Sequence, residues 1–179
     1  MKRLRITENT WDQVQTYLDH PSERMAFFAA TVTDGTDATA GDWSVVEVMY
    51  LDDDHDYSYQ GWAGVELADH IRPQTLKWAT EHEAALVEIH SHGPGAGATS
   101  FSTTDLRGLT EITPSLLWRL GSHPYAAIVV GGRHDHDSLT WTAKETPPAP
   151  ITELIIGTST TRPTGRALAS LTALKKETP

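Results

Sequence analysis

Apolar and polar positions along this 179-residue chain follow two periods and switch between them repeatedly. Leu4 and Ile6 alternate with Arg3 and Arg5, the period of a short strand. Thr7-Glu8-Asn9-Thr10 then offers capping residues ahead of Trp11, Val14, Tyr17 and Leu18, whose spacing predicts a helix with one buried face. His20-Pro21-Ser22 closes that helix. Residues 23–33 contain the nearly unbroken apolar run Met25-Ala26-Phe27-Phe28-Ala29-Ala30, which suits a central strand covered on both faces. Asp34-Gly35-Thr36-Asp37 reads as a turn, Trp43 to Leu51 as a Val-rich strand, and Asp52 to Asp56 as a polar acidic loop. Tyr57 to Trp62 reads as a further loop.

The second half alternates helices and strands. Pro73 fits the first turn of a helix ending near His82, with Leu76 and Ala79 towards the core. Ala84 to His92 reads as a strand. Thr103-Thr104-Asp105-Leu106 opens a helix expected to reach Gly108 or Ile112, because Pro114 interrupts the pattern. Leu116, Leu117 and Leu120 form a short second segment. Tyr125 to Val130 is a buried strand, Gly131 to Asp137 a turn, and Ser138 to Ala143 an alternating strand. The proline-rich stretch Pro147-Pro148-Ala149-Pro150 marks a linker, so residues 1–146 are expected as one domain and 147–179 as an extension. That extension carries a strand over Ile151–Gly157 and a helix over Arg166–Leu174. The order predicts an α/β fold of the α+β type, a mixed sheet flanked by helices.

Composition narrows the functional classes. The net charge of −10 disfavours nucleic acid and anionic lipid as partners, since both need a basic surface. With no cysteine, disulfides, thiolate metal sites and a cysteine nucleophile are excluded. The basic N-terminus lacks the apolar run of a signal peptide, and no stretch approaches a membrane span. A cytoplasmic location is the expectation.

The chemistry concentrates in one stretch. His90 and His92 stand two apart on a predicted strand, so their rings leave the same face roughly 7 Å apart along the chain. A glycine-rich loop, Gly93 to Gly97, leads to Ser102-Thr103-Thr104-Asp105, where a carboxylate opens a helix. Two imidazoles and one carboxylate are a three-ligand set, which suits a catalytic zinc with an open fourth position.

Glu23, the pair His90 and His92, and Ser102 with Asp105 in the Ser-x-x-Asp form resemble the JAMM, or MPN-domain, zinc metalloproteases of the JAB type. The Phe101-Ser102-x-x-Asp105-Leu106 form is closest to the bacterial branch. The resemblance covers about residues 1–145 through the order of motifs and elements, and implies a cytidine-deaminase-like MPN core. It implies that His90, His92 and Asp105 bind Zn2+, which lowers the pKa of bound water to about 7. Glu23 would act as general base, and Ser102 would hydrogen-bond the developing oxyanion. The chain departs from the family pattern in having Gly93 before Pro94, and its loop between His92 and Asp105 is longer than usual. The extra residues are expected to bulge outward without displacing Asp105. The resemblance further implies a deubiquitinase-like isopeptidase acting at the C-terminus of a ubiquitin-like protein or its conjugates. Activating or conjugating enzymes encoded nearby, including in antiphage defence, are the expected partners.

Other residues compete for these roles. Glu88 shares the face of His90 and His92 and is a rival base, although a surface or strand-edge carboxylate is the blander reading. Ser102 also fits as the cap of the helix it precedes, and Ser100 is the alternative hydroxyl. The second pair, His134 and His136 with Asp137, follows Gly131-Gly132 and reads as a solvated turn. Asp52-Asp53-Asp54 lacks the spacing of a calcium loop. Trp11, Trp43, Trp78 and Trp118 read as core, and Trp62 as a loop residue that could meet substrate. A non-catalytic scaffold and a zinc hydrolase of small amides or peptides are the rival functions.

Overall fold

The structure is a computed structural model and describes residues 2–33, 41–62, 64–92, 99–131 and 135–177. The predicted turn at Asp34–Asp37, the loop Gly93 to Ala98 and His134 lie outside the described residues. The first strand, β1 (Arg3–Ile6), buries Leu4 and Ile6 and exposes Arg5. The Thr7 hydroxyl accepts the Thr10 N–H at 3.1 Å and so caps α1 (Glu8–Leu18), which buries Trp11, Val14 and Leu18. Next come β2 (Met25–Thr33) and β3 (Asp42–Tyr50). Where a loop is predicted, Tyr57 to Trp62 instead contributes to a hairpin of β4 (Tyr57–Gly61) and β5 (Gly64–Leu67). Polar, half-exposed strands of this kind carry no alternating apolar signal.

The remaining elements are α2 (Ile71–Glu81), β6 (Ala85–Ser91), α3 (Thr103–Leu120), β7 (Tyr125–Val130), β8 (His136–Trp141), β9 (Glu153–Ile156), β10 (Ser159–Thr161) and α4 (Arg166–Glu177). The main sheet runs β10-β9-β1-β3-β2-β6-β7-β8. It is mixed: β6 lies antiparallel to β2 and parallel to β7. α1 packs on one face with Leu4, Phe28, Val87 and Ile128. α2, α3 and α4 pack on the other with Phe27, Leu86 and Leu139. This is the predicted mixed α/β architecture. Among the described residues, no helix is long and apolar enough to cross a membrane.

Two expectations about the second half need correction. Pro114 does not end a helix: α3 runs through it as one unit. A proline inside a helix costs about 3 kcal/mol. Leu106 and Leu109 before it and Leu116, Leu117 and Leu120 after it are all buried, each stabilising by roughly 1.5–3 kcal/mol, and one continuous face buries them together. Trp118 falls on the opposite side of α3 and is 79% exposed, so it is not a core residue. Trp11 and Trp43 are buried and Trp78 packs against the core.

The proline-rich stretch does not stand off from the sheet. Ala149 exchanges two backbone hydrogen bonds with Thr140 at 2.7 and 3.1 Å. Beyond it, β9 pairs in parallel with β1, and Ala167 and Leu171 of α4 join the apolar cluster under α2 and α3.

Candidate metal centre

The site lies at the carboxyl end of β6, where the chain crosses through α3 to the parallel strand β7, a common ligand position in open α/β sheets. Alternation along β6 sends Ala85, Val87 and Ile89 to the α1 face and Leu86, Glu88 and His90 to the other. His90 sits opposite Met25 of β2 and beside Val129 of β7. Phe101 packs against its ring with centroids 5.6 Å apart. The His92 N–H donates to the Val130 carbonyl at 3.3 Å, so the second histidine continues the strand direction.

Asp105 reaches the histidines from the first turn of α3. The Ser102 hydroxyl accepts the Asp105 N–H at 3.1 Å, and Asp105 Oδ2 accepts the Ser102 N–H at 2.7 Å, a reciprocal capping box. The same Oδ2 lies 3.2 Å from His92 Nε2 and 3.8 Å from His90 Nε2. One ligand atom from each of the three residues lies within 4.8 Å of the others, so the group could hold a metal ion. The two ring nitrogens of His90 are buried and have no hydrogen-bond partner among the described residues. Leaving a buried donor or acceptor unsatisfied is costly, and a cation at this point would take up one of the two nitrogens. The donor set fits a metal on this count.

Electrostatics tighten the group. Burial works against charge on His90, yet Asp105 outweighs it, helped by Glu88 and Glu23, and the imidazole is shifted upward. Burial would raise the Asp105 carboxyl, but His90, His92 and Ser102 hold it well below the usual carboxylate range. A cation bound here would replace the proton as counter-charge to Asp105.

Glu23 comes to the same place. It stands just ahead of β2, only 7% exposed, and lines with Met25, Arg72, Glu88, His90 and Asp105 a cavity of about 210 Å3. Its backbone is pinned on both sides. Its N–H donates to the Gly61 carbonyl at 2.8 Å, and Gln60 Nε2 donates to its carbonyl at 3.1 Å. The next residue, Arg24, exchanges contacts with Ser91: Ser91 N–H to the Arg24 carbonyl at 3.0 Å and Arg24 N–H to Ser91 Oγ at 3.3 Å. Those bonds tie Glu23 to the end of β6 that carries His90.

Glu88 is neither a surface nor an edge residue. It is 3% exposed, and Arg72 Nη1 of α2 donates to its Oε2 at 2.9 Å. Burial is the main cause that pushes the neighbouring Tyr125 hydroxyl far above its usual range, and the Glu88 charge adds to it. Arg72, Gln60 and Phe101 were not identified from sequence as site residues. A glutamate inside an apolar strand does signal that a buried cation exists somewhere, but not which one. Ser102 performs the capping role that its spacing allowed, and its side chain helps to hold the Asp105 carboxyl low.

The second histidine pair is different in kind. Asp135 is exposed, but His136 and Asp137 belong to β8 and are buried, so the solvated-turn reading fails for them. Asp137 Oδ2 accepts the Ala167 N–H at 2.7 Å, and its Oδ1 accepts the Ser138 N–H at 2.8 Å. Its buried carboxylate therefore serves the first turn of α4. The aspartates of the loop after β3 are also structural: Asp53 pairs with Arg24, and Asp52 and Asp56 close the turn on backbone N–H groups at 2.9 and 2.8 Å. Trp62, 79% exposed, follows β4 at the turn of the β4–β5 hairpin.

No family model matches the chain, and no curated protein matches it. Among solved structures it is similar to protein DSY2949 from Desulfitobacterium hafniense, known from a solution structure, with a TM-score of 0.51 and 17% sequence identity. The match covers 87% of this chain and 92% of that one, and bears on the fold alone.

Proposed function

We propose that this chain is a zinc-dependent amide hydrolase of the JAMM type, an isopeptidase acting at the C-terminus of a ubiquitin-like protein. The observation that carries the reading is the convergence of His90, His92 and Asp105 at a cavity that Glu23 also lines. Two imidazoles and a carboxylate suit a catalytic zinc with an open position. The substrate class follows from the resemblance in motif, and the cavity is compatible with it. A volume of about 210 Å3 is below that of pockets enclosing a drug-sized ligand, so it accepts a narrow chain end with the substrate's bulk outside.

Zinc held by His90, His92 and Asp105 would supply a Lewis acid that brings the pKa of water to about 7. Glu23 takes the proton from the attacking water and returns it to the leaving amine nitrogen. Its pinned backbone keeps the residue in the wall of the cavity that His90 and Asp105 also line. The Ser102 hydroxyl accepts from Asp105 N–H and directs its own proton to the developing oxyanion. Glu88 is already paired with Arg72, and Glu23 is the residue that the resemblance gives as the base.

The test combines metal content with turnover. The wild-type chain should bind one zinc and release a fluorophore from the C-terminal amide of a ubiquitin-like protein. Glu23→Gln should keep the zinc and lose activity by about 10²–10⁴-fold. Full activity in that variant would make the base assignment wrong. A short amide cleaved as fast as the ubiquitin-like fusion would make the substrate class wrong while leaving the hydrolase.

A further inference from the structure

The C-terminal segment touches the chain that leads into the metal site. Thr164, just ahead of α4, donates its N–H to the His136 carbonyl at 2.9 Å. Its hydroxyl lies 2.9 Å from the Thr99 carbonyl and 2.8 Å from Asp137 Oδ2, with one proton to share between them. Asp137 is 0% exposed and is held by the Ser138 and Ala167 N–H groups, so it is a fixed point between β8 and α4. Thr99 is buried as well. Gly131, just past β7, also lies against it: a Cβ at residue 131 would come within 2.1 Å of Thr99 Oγ1.

Thr99 stands close ahead of Ser102. The intervening residue Phe101 rests against the His90 ring, and Ser102 and Asp105 are locked in their capping box. Only Ser100 and Phe101 separate Thr99 from Ser102, a span of at most about 11 Å when extended, so the position of Thr99 limits where Ser102 can stand. Metal-ligand geometry is set by such supporting contacts as well as by the ligands.

We propose that Thr164, backed by Asp137, is a positioning residue for the metal site: it fixes Thr99 and thereby where Ser102 and Asp105 meet His90 and His92. The segment after the proline-rich stretch is then a working part of the centre. The inference rests on the reading of His90, His92 and Asp105 as metal ligands.

The experiment is a Co2+ titration of the full chain, read by the visible absorption of the bound ion, with circular dichroism as the check on folding. Thr164→Val should weaken Co2+ binding by about 10–100-fold and alter the spectrum, and Thr164→Ser should restore both. A folded Thr164→Val variant with wild-type affinity and spectrum overturns the proposal. The wild-type chain gives a second test without substitution, because coupling is reciprocal. Zinc loading should slow hydrogen exchange at the Ala167 amide, which donates to Asp137, and an unchanged rate overturns the proposal. Co2+ binding that survives His90→Ala with an unchanged spectrum overturns the metal-site reading instead, and the positioning role with it.

Discussion

The two faces of β6 share one backbone and the same degree of burial, yet they differ in chemistry. Towards α1 stand Ala85, Val87 and Ile89, fully buried among apolar neighbours. Towards α2 and α3, Leu86 begins the same way, but Glu88 and His90 follow. A strand built for stability alone would carry Val or Ile on both faces. Burying a carboxylate and an imidazole side by side is costly unless each is paired: Arg72 from α2 hydrogen-bonds Glu88, whereas Asp105 from α3 stands 3.8 Å from His90 Nε2 and leaves both His90 ring nitrogens without a hydrogen bond among the described residues. The apolar face needs no such supply. The polar face is therefore where apolar packing has been given up, and Arg72 and Asp105 are the charged groups that meet it.

The sharpest way to break the contrast is to put a charge on the apolar face. Ile89→Asp has no buried cation to meet it, and stability should fall by roughly 4 kcal/mol or more. Chemical denaturation would read this as loss of the folded baseline. Next in size is Arg72→Met, which leaves Glu88 buried without its cation. The expected loss is about 3 kcal/mol, the low end for a broken buried pair, because the Arg72 side chain is 31% exposed. A loss below about 1 kcal/mol in denaturant would mean that Glu88 is not held by Arg72.

His90→Leu reverses the first experiment by making the polar face apolar. Bound zinc should disappear, while the metal-free variant should melt no lower than the metal-free parent, since an unsatisfied buried ring is removed. A fall in its melting temperature would assign His90 to structure instead of the metal. Ser102→Ala removes the cap that sets Asp105, and should cost roughly 1 kcal/mol together with a measurable loss of zinc affinity by titration.

The mildest test uses pH. Burial raises the hydroxyls of Tyr17, Tyr57 and Tyr125 above the ordinary value of 10.0. Tyr17 donates to the Leu51 carbonyl at 2.9 Å, and Tyr57 accepts the Met25 N–H at 2.9 Å. A folded-state pKa above the unfolded one gives stability that is intact below pH 10 and lost as pH rises beyond it. Melting temperatures measured from pH 8 upward should stay level and then decline above about pH 10. A flat profile past that point would show that these phenols ionise freely in the folded chain.

Much of the molecule was legible from periodicity. Leu4 and Ile6, the Met25–Ala30 run and the Tyr125–Val130 run each announced a strand, because apolar patterning follows local geometry. The group that could hold a metal ion was legible too: His90 and His92 share a strand face, and Asp105 opens a helix, which are local facts. The exposure of Trp118, the helix through Pro114 and the β4–β5 hairpin are not legible in the sequence, for one reason. Whether an aromatic is buried, a proline tolerated or a polar segment paired depends on what lies across the core, and neighbours in sequence do not report it.

The chain's own pattern was enough to establish a mixed α/β fold with two imidazoles and a carboxylate at a strand–helix junction, since period and residue type act over a few residues. Three-dimensional packing settled the rest. It set Glu23 against the end of β6 through Ser91 and the β4–β5 hairpin, gave Glu88 to Arg72 and turned Asp137 into a support for α4. Each of these pairings joins residues distant in sequence. Burial makes an unpaired charge costly enough to require a partner, but which partner arrives depends on how the sheet and its helices pack.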